Sequence, residues 1–157
     1  MADSVEQKII SAIVTRMQTI NGTGLFLTSV GTRTEDSRPN WDQTDLPAIS
    51  VFQGNVTSEE ADDEGAKVAR TLPVLIKVFF ERDNVAGTDA AYARKVIADV
   101  MRAIRSDDKW IVSGTPLAIY TAEKSHLIEY AEQTFEVTGI QVEIEILYRA
   151  SRFNLEA

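Results

Sequence analysis

The stretch Leu72-Pro-Val-Leu-Ile-Lys-Val-Phe-Phe-Glu81 constrains this chain most, because Leu72, Val74, Ile76, Val78 and Phe80 make one parity of positions wholly apolar. A period of two is strand periodicity: successive side chains point to opposite faces, so one face is built to be buried. The other parity, Thr71, Pro73, Leu75, Lys77, Phe79 and Glu81, mixes apolar and charged groups and suits a face turned toward solvent or another subunit. Ile140-Gln-Val-Glu-Ile-Glu-Ile-Leu-Tyr148 repeats the design, with Ile140, Val142, Ile144, Ile146 and Tyr148 on one side. Two such strands predict a half-buried, mainly antiparallel sheet.

Helical spacing brackets these strands. Val5, Ile9, Ile13, Met17 and Ile20 follow Asp3 or Ser4, either of which can cap, with Glu6 or Gln7 three residues on. Asn21-Gly22 offers a left-handed stop. A second helix is expected after the loop at 83–87, capped by Thr88 or Asp89. Ala93, Val96, Ile97, Val100, Met101 and Ile104 form its buried stripe, and Arg94, Lys95, Asp99 and Arg102 lie outside. The expected class is α+β, with two amphipathic helices packed on one face of a mainly antiparallel sheet that contains a long hairpin. At 157 residues and 44% hydrophobic content the chain fits one domain spanning 1–157.

The connections are less regular. Residues 25–30 read as a short strand, and 31–45, with Arg33, Arg38, Pro39 and Trp41, lack any period, as a functional loop does. Residues 47–54 alternate again and read as a strand entering the sheet, with proline at its start. A second extended loop at 56–65 carries Glu59, Glu60, Asp62, Asp63 and Glu64, which reads as the solvated tip of a long hairpin. Residues 110–120 suggest one irregular strand through Leu117 and Ile119, interrupted at Gly114-Thr-Pro116. Phe135 and Val137 are out of phase with Ile140, so a bulge is expected near Gly139.

Composition narrows the chemistry. A formal charge of -8 opposes a protein that grips nucleic acid through phosphates. Without cysteine there is no disulfide, thiolate nucleophile or thiolate zinc site. No run approaches the roughly 18 apolar residues of a membrane span, and no signal-peptide layout opens the chain, so cytosolic synthesis and no membrane partner are expected. His126 is the single histidine, too little for a transition-metal or nucleophilic site, and reads as a surface or loop residue. The acidic tip lacks the ligand spacing of a calcium loop, so solvated charge outweighs a cation site there. Gly22-Thr-Gly24 is not followed by the Lys-Ser/Thr of a phosphate loop and reads as a helix stop. Trp110, just after a helix, reads as core, whereas Trp41 in a polar loop suits either a partner or local packing. No catalytic residue, metal or cofactor is expected.

The order of elements resembles a known family. A helix at 4–20, a variable loop, Leu46-Pro-Ala-Ile-Ser-Val-Phe-Gln-Gly54, a long hairpin return, a helix at 89–104 and a closing strand ending Val142-Glu-Ile-Glu-Ile-Leu-Tyr148 resemble the tail terminator and tail completion proteins of long-tailed bacteriophages. The acidic hairpin tip has no counterpart in that pattern. The resemblance implies a non-enzymatic virion protein, assembled in the host cytoplasm, that forms a ring, typically a hexamer, on the head-proximal end of the tail tube. Its partners would be other copies of itself, the tube protein and the head-tail connector. DNA would pass through the ring without specific binding. Leu75, Phe79, Leu147 and Trp41 are then the expected intersubunit residues, although a helix covering the first three within a monomer would also account for them. Glu59, Glu60, Asp62, Asp63, Glu64, Glu129 and Glu132 are candidates for an acidic lumen, the rival lining being Arg33, Arg38, Arg94, Lys95 and Arg102. A head-tail joining protein of similar symmetry is the alternative within the binding class. A metal-dependent hydrolase using the acidic tip is the alternative among enzymes.

Overall fold

A computed structural model of the chain describes residues 3–29, 32–35, 47–59, 67–81, 87–129 and 137–151. Its elements are α1 (Val5–Met17), β1 (Thr32–Glu35), β2 (Ala48–Gln53), β3 (Thr57–Glu59), β4 (Lys67–Glu81), α2 (Thr88–Arg105), β5 (Ile111–Val112), β6 (Thr115–Pro116), β7 (Tyr120–Glu129) and β8 (Val137–Ser151). The main sheet runs β1-β2-β4-β8-β7, with β3 also paired to β4, and among the described residues only the β1–β2 pair is parallel. The fold is α+β, as the two periodicities require.

The two alternating stretches are the centre of the sheet. β4 and β8 pair antiparallel without a register shift from Lys67↔Ser151 to Glu81↔Val137. Opposed side chains in such a pair share a face, so Leu72 meets Ile146, Val74 meets Ile144, and Ile76 meets Val142. These join Ile49 and Val51 of β2 in one buried cluster with the inward residues of both helices. From α1 come Val5, Ile9, Ile10, Ile13 and Met17, with Ile20 just beyond its end; from α2 come Ala93, Val96, Val100 and Ile104. Burial of this apolar surface is the main stabilising term, about 25 cal/mol per Å² removed from water.

Several local expectations are corrected. Ser4 caps α1, its side chain accepting from Gln7 N–H at 3.2 Å. The helix ends at Met17, however, and Gly22 (φ 74°) belongs to the following turn. Residues 25–28 are not a strand; the one bridge here joins Asn21 to Ser29, and Val30 lies outside the described residues. Within the expected loop at 31–45, Thr32–Glu35 instead form β1 alongside β2, and within 56–65, Thr57–Glu59 form β3. α2 begins after Gly87 (φ 80°) rather than at a side-chain cap on Thr88 or Asp89. Residues 110–120 hold the small β5–β6 hairpin and lead into β7, an edge strand of mixed polarity.

Gly139 is not a bulge. It sits in unbroken register opposite Phe79, where a Cβ would lie 2.7 Å from the Val78 carbonyl oxygen, so close backbone approach demands glycine. The irregularity falls instead between Glu123 and Ser125 of β7. Phe135, one half of the expected phase change, lies outside the described residues.

Candidate functional site

The surface of interest is the side of the sheet turned away from the helices. Direct pairing places Phe52, Leu75, Glu143 and Ser125 in one row across β2, β4, β8 and β7. The neighbouring row is Ser50, Lys77, Gln141 and Leu127, and the next is Ala48, Phe79, Gly139 and Glu129. Toward the other end, Thr71, Leu147 and Tyr120 stand side by side. The register therefore brings Leu75, Phe79 and Leu147 onto one face, as their parity requires.

That face is not uniform. Phe79 is only 8% exposed, its ring over Gly139, and its neighbours Ala48 and Ser50 are buried. Leu75 and Leu147 are half-buried. Beside them, two apolar residues that sequence reasoning missed stand open: Tyr120 at 49% and Leu127 at 47% exposure. Both belong to β7, whose mixed polarity hides its alternation, although Tyr120, Ala122, Leu127 and Glu129 fall into step once the irregularity after Glu123 is allowed for.

Charged pairs are laid between these apolar groups. Lys77 Nζ lies 3.6 Å from Glu129 Oε1, Lys124 Nζ 3.2 Å from Glu145 Oε2, and Ser125 Oγ donates to Glu143 at 3.3 Å. Glu129 also accepts from Gln141 Nε2. Half-open ion pairs of this kind contribute little to stability in water, typically up to ~1 kcal/mol. They do fix the side chains as a pattern that another surface can read. Trp41, Glu60, Asp62, Asp63, Glu64 and Glu132 lie outside the described residues, and of Glu59 only the backbone, in β3, is described. His126 is exposed, on strand β7 rather than in a loop. Among the described residues no cluster of His, Asp or Glu could hold a metal ion, and no helix is long and apolar enough to cross a membrane.

The helix side holds a polar site that the sequence reading put on the surface. Asp99 is 0% exposed, although its neighbours in α2 are apolar. Its carboxylate accepts from the N–H groups of Leu27 (3.0 Å) and Thr28 (2.7 Å) and from Thr28 Oγ1 (2.6 Å), and pairs with Arg102 at 3.2 Å. Arg102 also donates to the Leu25 carbonyl. A buried carboxylate persists only when it is paired and hydrogen-bonded, and here it satisfies backbone donors that no sheet ladder reaches. The clamped turn holds out Leu25 and Leu27, 75% and 61% exposed. Nearby burial, followed by the Asp99 charge, pushes the Tyr92 phenol up.

Further polar contacts tie α1 and the segment after α2 to the sheet and to each other. Tyr148, buried on β8, donates to Glu6 Oε1 at 2.7 Å, and burial, followed by that contact, pushes its phenol up. Trp110 is fully buried, as expected; its Nε1 donates to Thr121 Oγ1 at 2.8 Å, and Arg16 lies 4.3 Å above its ring. Arg16 also pairs with Asp107 at 3.0 Å. Burial acts to raise the Asp107 carboxyl, but N–H donors from Ile111 and Lys109 together with Arg16 hold it below the usual range.

No protein-family model matches the chain, and no curated protein sequence matches it. Among solved structures, the fold is similar to a chain in the virion of a native gene transfer agent (GTA) particle: TM-score 0.50 at 17% identity, over 94% of this chain and 92% of that one. A second similarity, at TM-score 0.47 and 11% identity, is to a chain in the extended-state sheath/tube terminator structure of an extracellular contractile injection system (PVC). It covers 94% of this chain and 58% of the other. At 17% identity the first likeness shows a shared fold, followed through nearly the whole of both chains.

Proposed function

We propose that this protein is a structural virion component that closes into a ring, in the hexameric form its family resemblance implies, at the head-proximal end of a phage-type tail tube. There it ends tube growth and offers a surface for head attachment; it catalyses no reaction. The observation that carries this reading is the fold shared with a chain of a gene transfer agent virion along 94% of the sequence. The residue pattern supports it independently: a closed ring repeats one heterologous contact, and each copy therefore needs surface left apolar by its own fold. Leu75, Leu147, Tyr120 and Leu127 supply such surface, with Trp41 a further contact. Phe79, largely covered within one copy, contributes at its margin.

In this reading at least one of the acidic segments, 59–64 or the one that carries Glu129, lines the channel. Duplex DNA presents a phosphate about every 1.7 Å of axis, and basic groups that engage phosphates retain it. An acidic wall keeps DNA sliding.

Electron microscopy of the purified protein with and without isolated tail tubes tests the function. Rings that cap one end of each tube are expected; tubes left bare, with the protein bound to head connectors alone, would make it a head-tail joining protein instead. Duplex titration against assembled rings should show no salt-sensitive binding at physiological ionic strength. Calorimetry with magnesium or manganese should show no stoichiometric ion, since a hydrolytic site would require one.

A further inference from the structure

Two apolar groups on the surface are held in place by unusual structure. The first is the turn at 25–28. Asp99, buried among apolar neighbours in α2, accepts from the Leu27 and Thr28 N–H groups, and Arg102 donates to the Leu25 carbonyl. Only main-chain groups of Leu25 and Leu27 are engaged, and both side chains are left exposed. The second is the β5–β6 hairpin, which follows Trp110 (φ 52°) and turns through Ser113 (φ 50°) and Gly114 (φ 80°). Residues with side chains seldom hold left-handed backbone, least of all a bulky one. Trp110 does so between Arg16 and Thr121, while Asp107 accepts from the Ile111 N–H at 2.7 Å. The hairpin thereby keeps Ile111 and Val112 half exposed. A buried charge in one place and backbone strain in the other fix apolar side chains in advance, and such preorganisation favours binding. Their shapes are opposite. The turn is a knob, and the hairpin is one wall of a groove: Ile111, Val112 and Leu117 face Ser11, Ala12 and Thr15 of α1 across about 680 Å³.

We propose that the Leu25–Leu27 knob of one copy seats in the groove between α1 and the β5–β6 hairpin of a second copy. Charge selects this pairing. The knob lies in a run from Met17 to Ser29 without a charged residue, so it offers nothing to replace the water around an ion pair. The outer sheet face carries Lys77 with Glu129 and Lys124 with Glu145, and the groove between α2 and β7 carries Arg105 with Glu123. Leucine pressed onto those pairs would cost their hydration. The middle of the α1–hairpin groove is uncharged. Asp3 and Lys8 line it only toward the first turns of α1, and Arg16 is engaged by Asp107 and the Trp110 ring. The knob does not reach the groove of its own copy, since Asp99 and Arg102 fasten it to α2 with Leu25 exposed. Leu25, Leu27, Ile111 and Val112 supply a few hundred Å² of the roughly 1,600 Å² in a standard interface, so this contact works beside the sheet face rather than alone. It joins two unlike surfaces, as a ring requires. This deepens the ring reading and rests on its premise of self-association.

A chain without cysteine allows a clean crosslinking test. Leu25→Cys in the knob and Val112→Cys in the groove, placed in one chain and treated with a short bis-maleimide, should give a ladder of dimers and higher oligomers, with each single variant remaining uncrosslinked. A product confined to one chain, or a single variant that crosslinks as well as the pair, would overturn the assignment. Oligomers seen in sedimentation without any ladder would remove this contact and leave the ring reading intact. A ladder whose particles are open rather than closed would keep the contact and remove the ring. Monomers without a ladder, with tail tubes or without, would defeat both. Leu25→Ser with Leu27→Ser, and separately Ile111→Ser with Val112→Ser, should each weaken self-association at least about tenfold while the melting temperature holds. All four changes together should weaken it no further than either pair alone, as two sides of one contact do. Losses that add, or a pair of changes that leaves self-association untouched, would place the knob and the groove in separate surfaces and overturn the pairing.

Discussion

On the helix side of β4, Leu72, Val74, Ile76 and Val78 are sealed; one residue along, on the opposite side, Thr71, Leu75 and Lys77 stay half open. The same strand in the same register makes both faces, so backbone pairing does not distinguish them. Side-chain chemistry does. The inner face is uniform because one core must exclude water everywhere, and any polar intrusion is costly. The outer face mixes leucines with Lys77, Glu143 and Glu145, which a lone chain tolerates and a partner can use. A face that is consistent explains the fold, and a face that is inconsistent points to what the fold is for.

The sharpest way to break this comparison is to make the inner face resemble the outer. Ile144→Asp would bury an unpaired carboxylate opposite Val74, and a loss on the order of 4 kcal/mol or more is expected, enough to abolish the cooperative thermal transition. Asp99→Ala comes next: it leaves the Leu27 and Thr28 N–H groups without their acceptor, at about 3 kcal/mol. Denaturant titration would give that loss, and faster amide exchange confined at first to residues 25–28 would locate it. Gly139→Ala should cost about 1–3 kcal/mol, since its methyl group must displace the Val78 carbonyl. The outer face should react otherwise. Leu75→Asp with Leu147→Asp should shift stability by no more than about 1 kcal/mol while abolishing oligomers in sedimentation. If both the melting temperature and the assembly survive, the outer face is not an interface.

Asp107 supplies the smallest effect. Its folded carboxyl is held below the ordinary range, so it contributes stability above the unfolded-state value, and that contribution is lost as pH falls through the folded value. Acid titration of Asp107→Asn beside the unaltered chain should show the two stability curves converging below about pH 4. Divergence in that range would mean Asp107 plays no such part.

The central strands and helix stripes were legible because Leu72, Val74, Ile76 and Val78, or Ile9, Ile13 and Met17, repeat a local period that burial alone demands. Asp99 shows where local reading fails. Three residues after Val96 and four before Ala103, it occupies an inward position of α2, yet its charge suggested solvent. Its partners, Leu27 and Thr28, are more than seventy residues away. β1 was missed for a related reason, since a four-residue strand exists only through its parallel pairing with β2. Leu25 and Leu27 imitate strand residues, but the neighbouring backbone donors are answered by a carboxylate rather than a ladder. Of the candidate surface, parity alone indicated Leu75 and Leu147. That Phe79 is covered and Tyr120 uncovered depends on which strands lie beside them, which no local pattern contains.

The unbroken register of β4 and β8 has a mechanical side. Fifteen opposed residue pairs span about 50 Å, and a force along the strands loads their hydrogen bonds together instead of opening them one by one from an end. Such a ribbon yields by shear, a stiffer mode than peeling. The edge strand β7, with its irregularity at Glu123 and Ser125, has a weak point where peeling can begin. Tension applied through β4 and β8 would meet a strut, while the same tension applied through β7 would meet a hinge.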